Sequence, residues 1–263
     1  MTRNYKIVIL CGGKGMRMRP HTETMPKPLV PIGEKPIVWH VMKLYSHFGF
    51  RNFVLALGHL GNQIVKYFVH YREKNCDFTL HSRDGTETFH TSLPPDEEEW
   101  NITFAHTGLE TKTGGRIKRI APYIQEDYFF ATYADGLADI DINAVLEQHV
   151  ASGLAATMTA VNLPTSYGLV KTSSGIATSF REKPRADDLV NAGFFVFSRK
   201  IFDYLGGDDC VLEQEPLRRM VEDRQVNVYH HEGYWHSMDT HKDHATLSRL
   251  WEENQAPWKV WND

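Results

Sequence analysis

The chain has 263 residues and a formal net charge of −4 at pH 7, with 41% hydrophobic and 24% charged residues, as in ordinary globular proteins. This charge balance excludes a strongly basic face for nucleic acid or an anionic membrane, and it leaves small polar substrates open. Three widely spaced cysteines without a C-x-x-C pair argue against a disulfide framework and a thiolate zinc site. No apolar run reaches transmembrane length and the first residues favour a strand over a signal peptide, so we expect a cytoplasmic protein.

The apolar pattern predicts strands that alternate with helices. In chain order, the predicted elements are a strand over 5–10, a helix from Pro36 to Gly49, a strand over 53–57, a helix through Ile64, Phe68 and Tyr71, a strand over 101–106, a helix through Ile117, Ile120 and Ile124, and a strand over 128–133. Residues 84–100 are predicted to be a surface excursion, the stretches FFVF and VNVYHH to be later strands, and the last helix to begin at His241. This order is typical of an α/β fold with a doubly wound sheet, whose ligands bind at the carboxyl ends of its strands.

The first strand runs into a glycine-rich turn with the sequence LCGGKGMR over residues 10–17. A dinucleotide-binding fingerprint fails because Met18 stands where a third glycine is required, and because no acid follows the second strand. A Walker A loop fails because no Lys-Ser or Lys-Thr follows the glycines. Two interpretations remain. Either the backbone N–H groups converge on a phosphate with Arg17 beside them, or the turn is glycine-rich only because it is tight.

The next segment, Pro26-Lys27-Pro28, holds one lysine on a stiff backbone close to the glycine turn. With Arg17, Lys27 would complete a cradle for a polyphosphate, made of backbone donors, a forked guanidinium and a point charge. A triphosphate calls for Mg²⁺, which takes one or two carboxylates, and Asp135 at the end of a buried strand is well placed to bind it. The alternative is that Asp135 only caps the next element, as Asp before Gly often does.

Four motifs then follow one another in a recognisable order: GGKGMR at 12–17, PKPLVPIG at 26–33, YADG at 133–136 and EKP at 182–184. Together they resemble the signature of the sugar-1-phosphate nucleotidyltransferases. Further stretches resemble the branch of that family that uses CTP and glucose 1-phosphate: TKTGGR at 111–116, NAGFFV at 191–196, LEQEPL at 212–217, WHSMDT at 235–240 and APWK at 256–259.

The resemblance implies a Rossmann-like, GT-A-like α/β fold with a mixed, mainly parallel sheet and helices on both faces. It also implies Mg²⁺-dependent transfer of a nucleotidyl group from a nucleoside triphosphate to a sugar 1-phosphate. The implied site residues are Arg17 and Lys27 for catalysis; Leu10, Gly12, Gly13, Lys14, Gly15, Met16, Arg17, Thr111, Arg116 and Ala134 for the nucleotide; Gly168, Glu182, Lys183 and Asn191 for the sugar phosphate; and Asp135 and Asp239 for the metal. The expected organisation is a single domain with a nucleotide-binding half over about 1–140, a sugar-phosphate-binding half over about 141–240 and a final helix over about 241–256, assembled as a homo-oligomer.

Several alternatives stay open at this point. Glu182-Lys183-Pro184 also suits an ordinary charged turn, and Asp239 also suits the N-cap of the final helix. His236, Asp239, His241 and His244 would be a rival metal cluster, although their spacing fits no H-E-x-x-H helix. Met16 replaces a threonine that the family usually carries, so another triphosphate or another sugar 1-phosphate is an alternative substrate. A ligand-binding relative without catalysis is the alternative from a different functional class.

Overall fold

The computed structural model of the protein describes residues 3–18, 21–93, 99–163, 169–182 and 188–262. Within these residues the strands are β1 (Arg3–Cys11), β2 (Pro31–Ile32), β3 (Lys35–Pro36), β4 (Phe50–Leu57), β5 (Phe78–His81), β6 (Thr86–Phe89), β7 (Asn101–His106), β8 (Tyr128–Tyr133), β9 (Gly136–Ala138), β10 (Ala156–Val161), β11 (Leu169–Ser173), β12 (Ile176–Arg181), β13 (Val190–Ser198), β14 (Val226–His231) and β15 (Trp235–Ser237). The α-helices are α1 (His21–Thr24), α2 (Ile37–His47), α3 (Gly61–Val69), α4 (Tyr71–Asn75), α5 (Thr113–Arg119), α6 (Ile142–Ser152), α7 (Ile201–Tyr204), α8 (Glu215–Glu222) and α9 (His241–Glu252). Short 3-10 helices span Met16–Met18, Lys27–Leu29 and Ala121–Tyr123.

Seven strands form one sheet in the order β14-β10-β13-β8-β1-β4-β7. Strands β8, β1, β4 and β7 are parallel neighbours, and β10 is parallel to β14. Strand β13 lies antiparallel between β8 and β10. The predicted α/β fold with a mixed, mainly parallel sheet is therefore confirmed. The division into two halves stays a prediction, although strands from both halves share this sheet.

The central strand β1 is buried on both faces because helices cover both sides of the sheet. Ile7 and Ile9 join the core that also holds α2 and α6, whereas Val8 joins the core that holds α5 and α7. All three side chains are fully buried. This alternation along a continuous apolar run is what a central parallel strand requires, and it fixes where the residues after Leu10 emerge.

Some element boundaries differ from the predictions. The helix predicted through Tyr71 is divided at His70 into α3 and α4. The helix predicted through Ile124 ends at Arg119 and is followed by the 3-10 helix Ala121–Tyr123, because Pro122 has no N–H for an α-helical hydrogen bond.

Differences also occur at the surface and at the carboxyl end. The predicted excursion contains part of a β5–β6 hairpin and ends at Trp100, whose indole donates to Ser46 at 2.5 Å, while residues 94–98 lie outside the described residues. The final helix ends at Glu252, and the tail beyond it packs Trp258 and Trp261 into the core. None of the helices in the described part of the chain is long and apolar enough to cross a bilayer.

Candidate active site

A cavity of about 510 Å³ opens at the carboxyl ends of β1 and β8, where the fold predicts a ligand. Its lining includes every residue that the sequence predicted for the nucleotide, together with Lys27 and both predicted metal ligands. The remaining lining residues are Cys11, Pro28, Leu109, Glu110, Lys112, Thr113, Tyr133 and Val211. The parallel strands of the sheet thus bring residues from distant parts of the sequence to one opening.

The glycine loop forms one wall of this cavity. Gly15 has a φ of +59°, and the Thr22 hydroxyl and the Met18 N–H both donate to its carbonyl oxygen, at 2.8 and 2.9 Å. Met18 itself is fully buried in the core, which explains why the third glycine of a dinucleotide fingerprint is missing. A Cβ on Gly13 would meet no atom within 4 Å, so the backbone there faces open space. Hydrogen bonds therefore fix the loop at Gly15, while its backbone at Gly13 is open to a ligand.

Arg116 lies beneath the glycine loop and is only 4% exposed. Its guanidinium donates to the carbonyl oxygens of Leu57 at 3.0 Å, Gly108 at 2.8 Å, Gly12 at 3.1 Å and Leu109 at 3.4 Å. It also donates to the hydroxyl of Thr107 at 2.7 Å. One side chain thereby connects the last residue of β4 with the segments that follow β1 and β7. The predicted contact between Arg116 and a nucleotide stays a prediction, since these five contacts give the guanidinium a different role.

The close fit around Arg116 also explains two glycines. A Cβ on Gly12 would lie 2.1 Å from Cζ of Arg116, and a Cβ on Gly58 would lie 2.6 Å from its terminal nitrogens. Real Cβ atoms do not approach other atoms so closely. Glycine is needed at these two positions because the guanidinium occupies the space beside the backbone.

Lys27, Arg17, Asp135 and Asp239 form a charged cluster at the base of the cavity. The Lys27 side chain is 13% exposed, and its ammonium contacts Asp135 Oδ2 and, at 2.9 Å, Asp239 Oδ1. Arg17 donates to the same Asp239 oxygen at 2.8 Å, while 73% of the Arg17 side chain is exposed. The structure therefore brings both predicted catalytic cations and both predicted metal ligands together.

The two aspartates meet because of a small antiparallel pair of strands. Asp135 precedes β9 and Asp239 follows β15, and these strands pair with Ser237 opposite Gly136. The Met238 N–H also donates to the Asp135 carbonyl oxygen at 2.9 Å. This pairing brings the segment after β15 next to the end of β8, which no local sequence pattern indicates.

The carboxylate of Asp239 binds Lys27 and Arg17 and does not cap α9. The N-cap of α9 is Thr240, in a capping box with Asp243, so the alternative interpretation of Asp239 as that cap is wrong. Burial alone would raise the pKa of Asp239, but hydrogen bonds from Lys27 and Ser237 and the charges of Lys27 and Arg17 hold it below its usual value. The carboxylate is therefore ionised at neutral pH.

The rival metal cluster does not form in the described structure. His236 instead hydrogen-bonds Asp243 at 3.0 Å, and His244 bonds the carbonyl oxygen of Pro31 at 2.8 Å. No group of three or more His, Cys, Asp or Glu side chains converges anywhere in the described residues.

The predicted sugar-phosphate residues are less completely described. Asn191 lies on β13, where its side-chain oxygen accepts from the Gly193 N–H at 2.9 Å. Glu182 follows β12 and is exposed. Neither residue is among those lining the cavity, and Gly168 and Lys183 lie outside the described residues. The grouping of these four residues around a sugar phosphate stays a prediction.

Sequence reasoning missed Thr113, Tyr133 and Glu213. The Tyr133 hydroxyl donates to one oxygen of Glu213, and the Thr113 hydroxyl donates to the other at 2.7 Å. All three lie inside motifs that carried the family resemblance, but a motif indicates membership without indicating which side chains touch.

Comparison with known proteins identifies the family of the chain. The sequence profile of the nucleotidyl transferase family matches residues 6–255. The chain is 42% identical over 257 residues to a probable glucose-1-phosphate cytidylyltransferase of Bacillus subtilis (strain 168), covering 97% of this chain and 100% of that protein. It is 41% identical over 259 residues to the glucose-1-phosphate cytidylyltransferase of Salmonella typhi, covering 97% of this chain and 99% of that protein.

A solved structure shows the same fold. The crystal structure of HddC from Yersinia pseudotuberculosis superposes with a TM-score of 0.67 at 19% identity, covering 94% of this chain and 99% of that chain. Because the family profile covers almost the whole sequence, and the relatives align with it nearly from end to end, the protein belongs to the nucleotidyl transferase family.

Proposed function

We propose that the protein transfers a cytidylyl group from CTP to glucose 1-phosphate, giving CDP-glucose and pyrophosphate. The observation that carries the reaction type is the cluster of Arg17, Lys27, Asp135 and Asp239 beside the glycine loop. The choice of CTP and glucose 1-phosphate rests on the relatives of that name, which are 41–42% identical over nearly the full length.

In this proposal an oxygen of the sugar phosphate attacks the α-phosphorus of CTP. A new O–P bond forms while the bond from the α-phosphorus to the bridging oxygen breaks, and that oxygen leaves with pyrophosphate. Backbone N–H groups of the glycine loop hold the phosphate oxygens, and the exposed Arg17 guanidinium neutralises the departing β- and γ-phosphates. Lys27, which is largely buried, supplies a fixed positive charge near the reacting phosphates. Catalysis is then mainly positioning and charge neutralisation.

The carboxylates fit a magnesium ion. Asp135 and Asp239 both contact one ammonium, so the two carboxylates already converge on a shared cation. Mg²⁺ is commonly bound through one or two carboxylates together with substrate phosphates. Asp135 and Asp239 would hold it, and when bound it would supply Lewis acidity that stabilises charge on the α-phosphate. Lys27 and Arg17, which share Asp239, would then turn toward phosphate oxygens.

The sugar side is proposed from the resemblance. Lys183 would bind the phosphate of the sugar, Glu182 would accept hydrogen bonds from sugar hydroxyls, and Asn191 and Gly168 would complete that side of the site. Thr111, Ala134 and Leu10 would contact the nucleotide, and their position in the cavity lining supports this part of the proposal.

Two further parts of the proposal concern the whole molecule. We infer a homo-oligomer, supported by exposed apolar side chains on the β11–β12 hairpin, where Ile176 is 72% and Phe180 is 64% exposed. Light scattering on the purified protein would measure the assembly, and a monomer would contradict this part. A cytoplasmic location likewise stays a prediction, which fractionation of the source cells would check.

The test is pyrophosphate release by the purified protein with Mg²⁺, each nucleoside triphosphate and each of several sugar 1-phosphates. Release with CTP and glucose 1-phosphate, well above every other pair, is the expected result. A preference for another triphosphate or sugar would keep the reaction and refute the proposed substrates. No release with any pair would favour the ligand-binding relative instead.

A variant pair tests the metal site. Asp135→Asn should abolish turnover and weaken Mg²⁺ binding measured by calorimetry, while Asp203→Asn on the exposed side of α7 should change neither. Unchanged turnover of Asp135→Asn would contradict the role given to Asp135.

A further inference from the structure

Glu213 receives hydrogen bonds from two residues that line the cavity, although its own side chain is exposed and is not among the lining residues. Its Oε1 accepts from the Tyr133 hydroxyl, and its Oε2 accepts from the Thr113 hydroxyl at 2.7 Å. Thr113 and Tyr133 both line the cavity. A carboxylate outside the cavity therefore joins two of its walls.

Tyr133 is fixed at both ends of its ring. Its hydroxyl bonds Glu213, while its ring edge lies against Gly193, where a Cβ would be 2.2 Å from Cδ2 of Tyr133. The ring also packs edge-on against Phe195 with centroids 6.3 Å apart. Contacts at its edge and at its hydroxyl therefore set the position of the ring.

Thr113 fixes the other wall. It begins α5, and its hydroxyl accepts from the Leu212 N–H at 3.0 Å while it donates to Glu213. The backbone on each side of Thr113 is also bonded, because the Lys112 N–H donates to the carbonyl oxygen of Asp208 at 2.8 Å and the Gly115 N–H donates to that of Cys210 at 3.1 Å. The segment 109–113, which lines the cavity, is thus held against the segment that carries Glu213.

We infer that Glu213 is a positioning residue which sets the width of the nucleotide side of the cavity by holding Tyr133 and Thr113 at a fixed separation. The inference rests on the proposed function only for the identity of the nucleotide. Loss of the carboxylate would let the Tyr133 ring and the 109–113 segment relax independently. No hydrogen bond or ion pair in the described residues joins Glu213 to Lys27, Asp135 or Asp239, so its loss should weaken nucleotide binding and leave the chemical step nearly unchanged.

The experiment compares the KM for the nucleotide and kcat among single variants, with melting temperature as a check on folding. Glu213→Ala should raise KM about tenfold and change kcat less than about twofold, as expected when two hydrogen bonds, one to each oxygen of the carboxylate, are lost. Tyr133→Phe, which removes the bond from Tyr133, should raise KM about threefold. Thr113→Val removes both the bond to Glu213 and the bond from the Leu212 N–H, so it should raise KM about threefold or more. Thr113→Ser keeps the hydroxyl and should recover most of the wild-type KM. The matched control is Glu215→Ala, an exposed glutamate that pairs with Arg219 along its own helix.

A double-mutant comparison separates positioning from general damage. Adding Tyr133→Phe to Glu213→Ala should raise KM little further, because both changes remove the same bond. If the double variant raises KM by the product of the two single effects, the inference is wrong. It is also wrong if Glu213→Ala has the same KM as Glu215→Ala. If Glu213→Ala does not fold, Tyr133→Phe and Thr113→Val test the same bonds, and an unchanged KM in both would overturn it as well.

The wild-type protein is measured first with every triphosphate, which keeps the two proposals distinguishable. If the wild type prefers a triphosphate other than CTP, the proposed substrate is wrong, and the variants are then compared on the preferred one. If the wild type turns over no pair, dissociation constants from calorimetry with CTP and with each other triphosphate replace KM, and the same tenfold ratio is expected.

Discussion

Replacing Arg116 with lysine is a direct test of what holds the glycine loop in place. The guanidinium donates to five acceptors, four of them backbone carbonyls at the end of β4 and in the segments after β1 and β7. An ammonium carries three N–H groups, so at least two of these contacts are lost although the charge is kept. Hydrogen bonds to charged groups contribute about 1.5–3 kcal/mol each, so Arg116→Lys should lower the free energy of unfolding by about 3 kcal/mol or more.

In a chain of this size that loss corresponds to a fall in melting temperature of about 6–12 °C. The loosened glycine loop should also weaken CTP binding about tenfold, measured by calorimetry. The matched control is Arg119→Lys on the same helix, where the guanidinium pairs with Asp208 at 2.6 Å and the side chain is 46% exposed. A surface pair of that kind contributes little, so its melting temperature should stay near that of the wild type. If Arg116→Lys melts and binds CTP as Arg119→Lys does, Arg116 does not hold the loop.

Three further predictions concern stability. His40 and His149 are fully buried, and burial lowers the pKa of each from 6.5 to about 4, so both are neutral in the folded protein at neutral pH. In the unfolded chain they gain a proton near pH 6.5, so the free energy of unfolding is full above pH 6.5 and falls as the pH is lowered toward 4. Urea unfolding should show a loss of about 2 kcal/mol for each at pH 5, and a flat profile from pH 7.5 to 5 would contradict this reasoning. Thr240→Ala should cost about 1 kcal/mol in urea unfolding because it removes the N-cap of α9, whereas Thr240→Ser should cost much less; equal losses would rule out the cap. Gly193→Ala should lower both the melting temperature and nucleotide affinity, since φ there is +80° and the new Cβ would lie 2.2 Å from Tyr133. The control is Gly207→Ala, where a Cβ would meet no atom within 4 Å, and this variant should match the wild type.

The sequence predicted the parts of the site that lie within short segments. The glycine turn after β1, the lysine between two prolines and the aspartate after β8 are local patterns, and their positions follow from the rule that ligands bind at the carboxyl ends of parallel strands. The sheet itself was predictable for the same reason, because buried parallel strands appear as continuous apolar runs.

Contacts between distant segments were not predictable. The β9–β15 pair is three residues long on each strand, too short to show a period, yet it is what brings Asp239 to Asp135. The bond between Tyr133 and Glu213 joins residues separated by 80 positions. Arg116 was identified through a family motif, and only the folded backbone reveals that five acceptors surround its guanidinium.

The β9–β15 pair also has a consequence for biosynthesis. Since Asp239 follows Asp135 by 104 residues, a ribosome-bound chain lacks one carboxylate of the cluster until synthesis has passed Asp239. The strands from β1 to β8 emerge long before that, so their part of the sheet can form early during synthesis. Nascent chains would therefore hold the glycine loop before the charged cluster is complete.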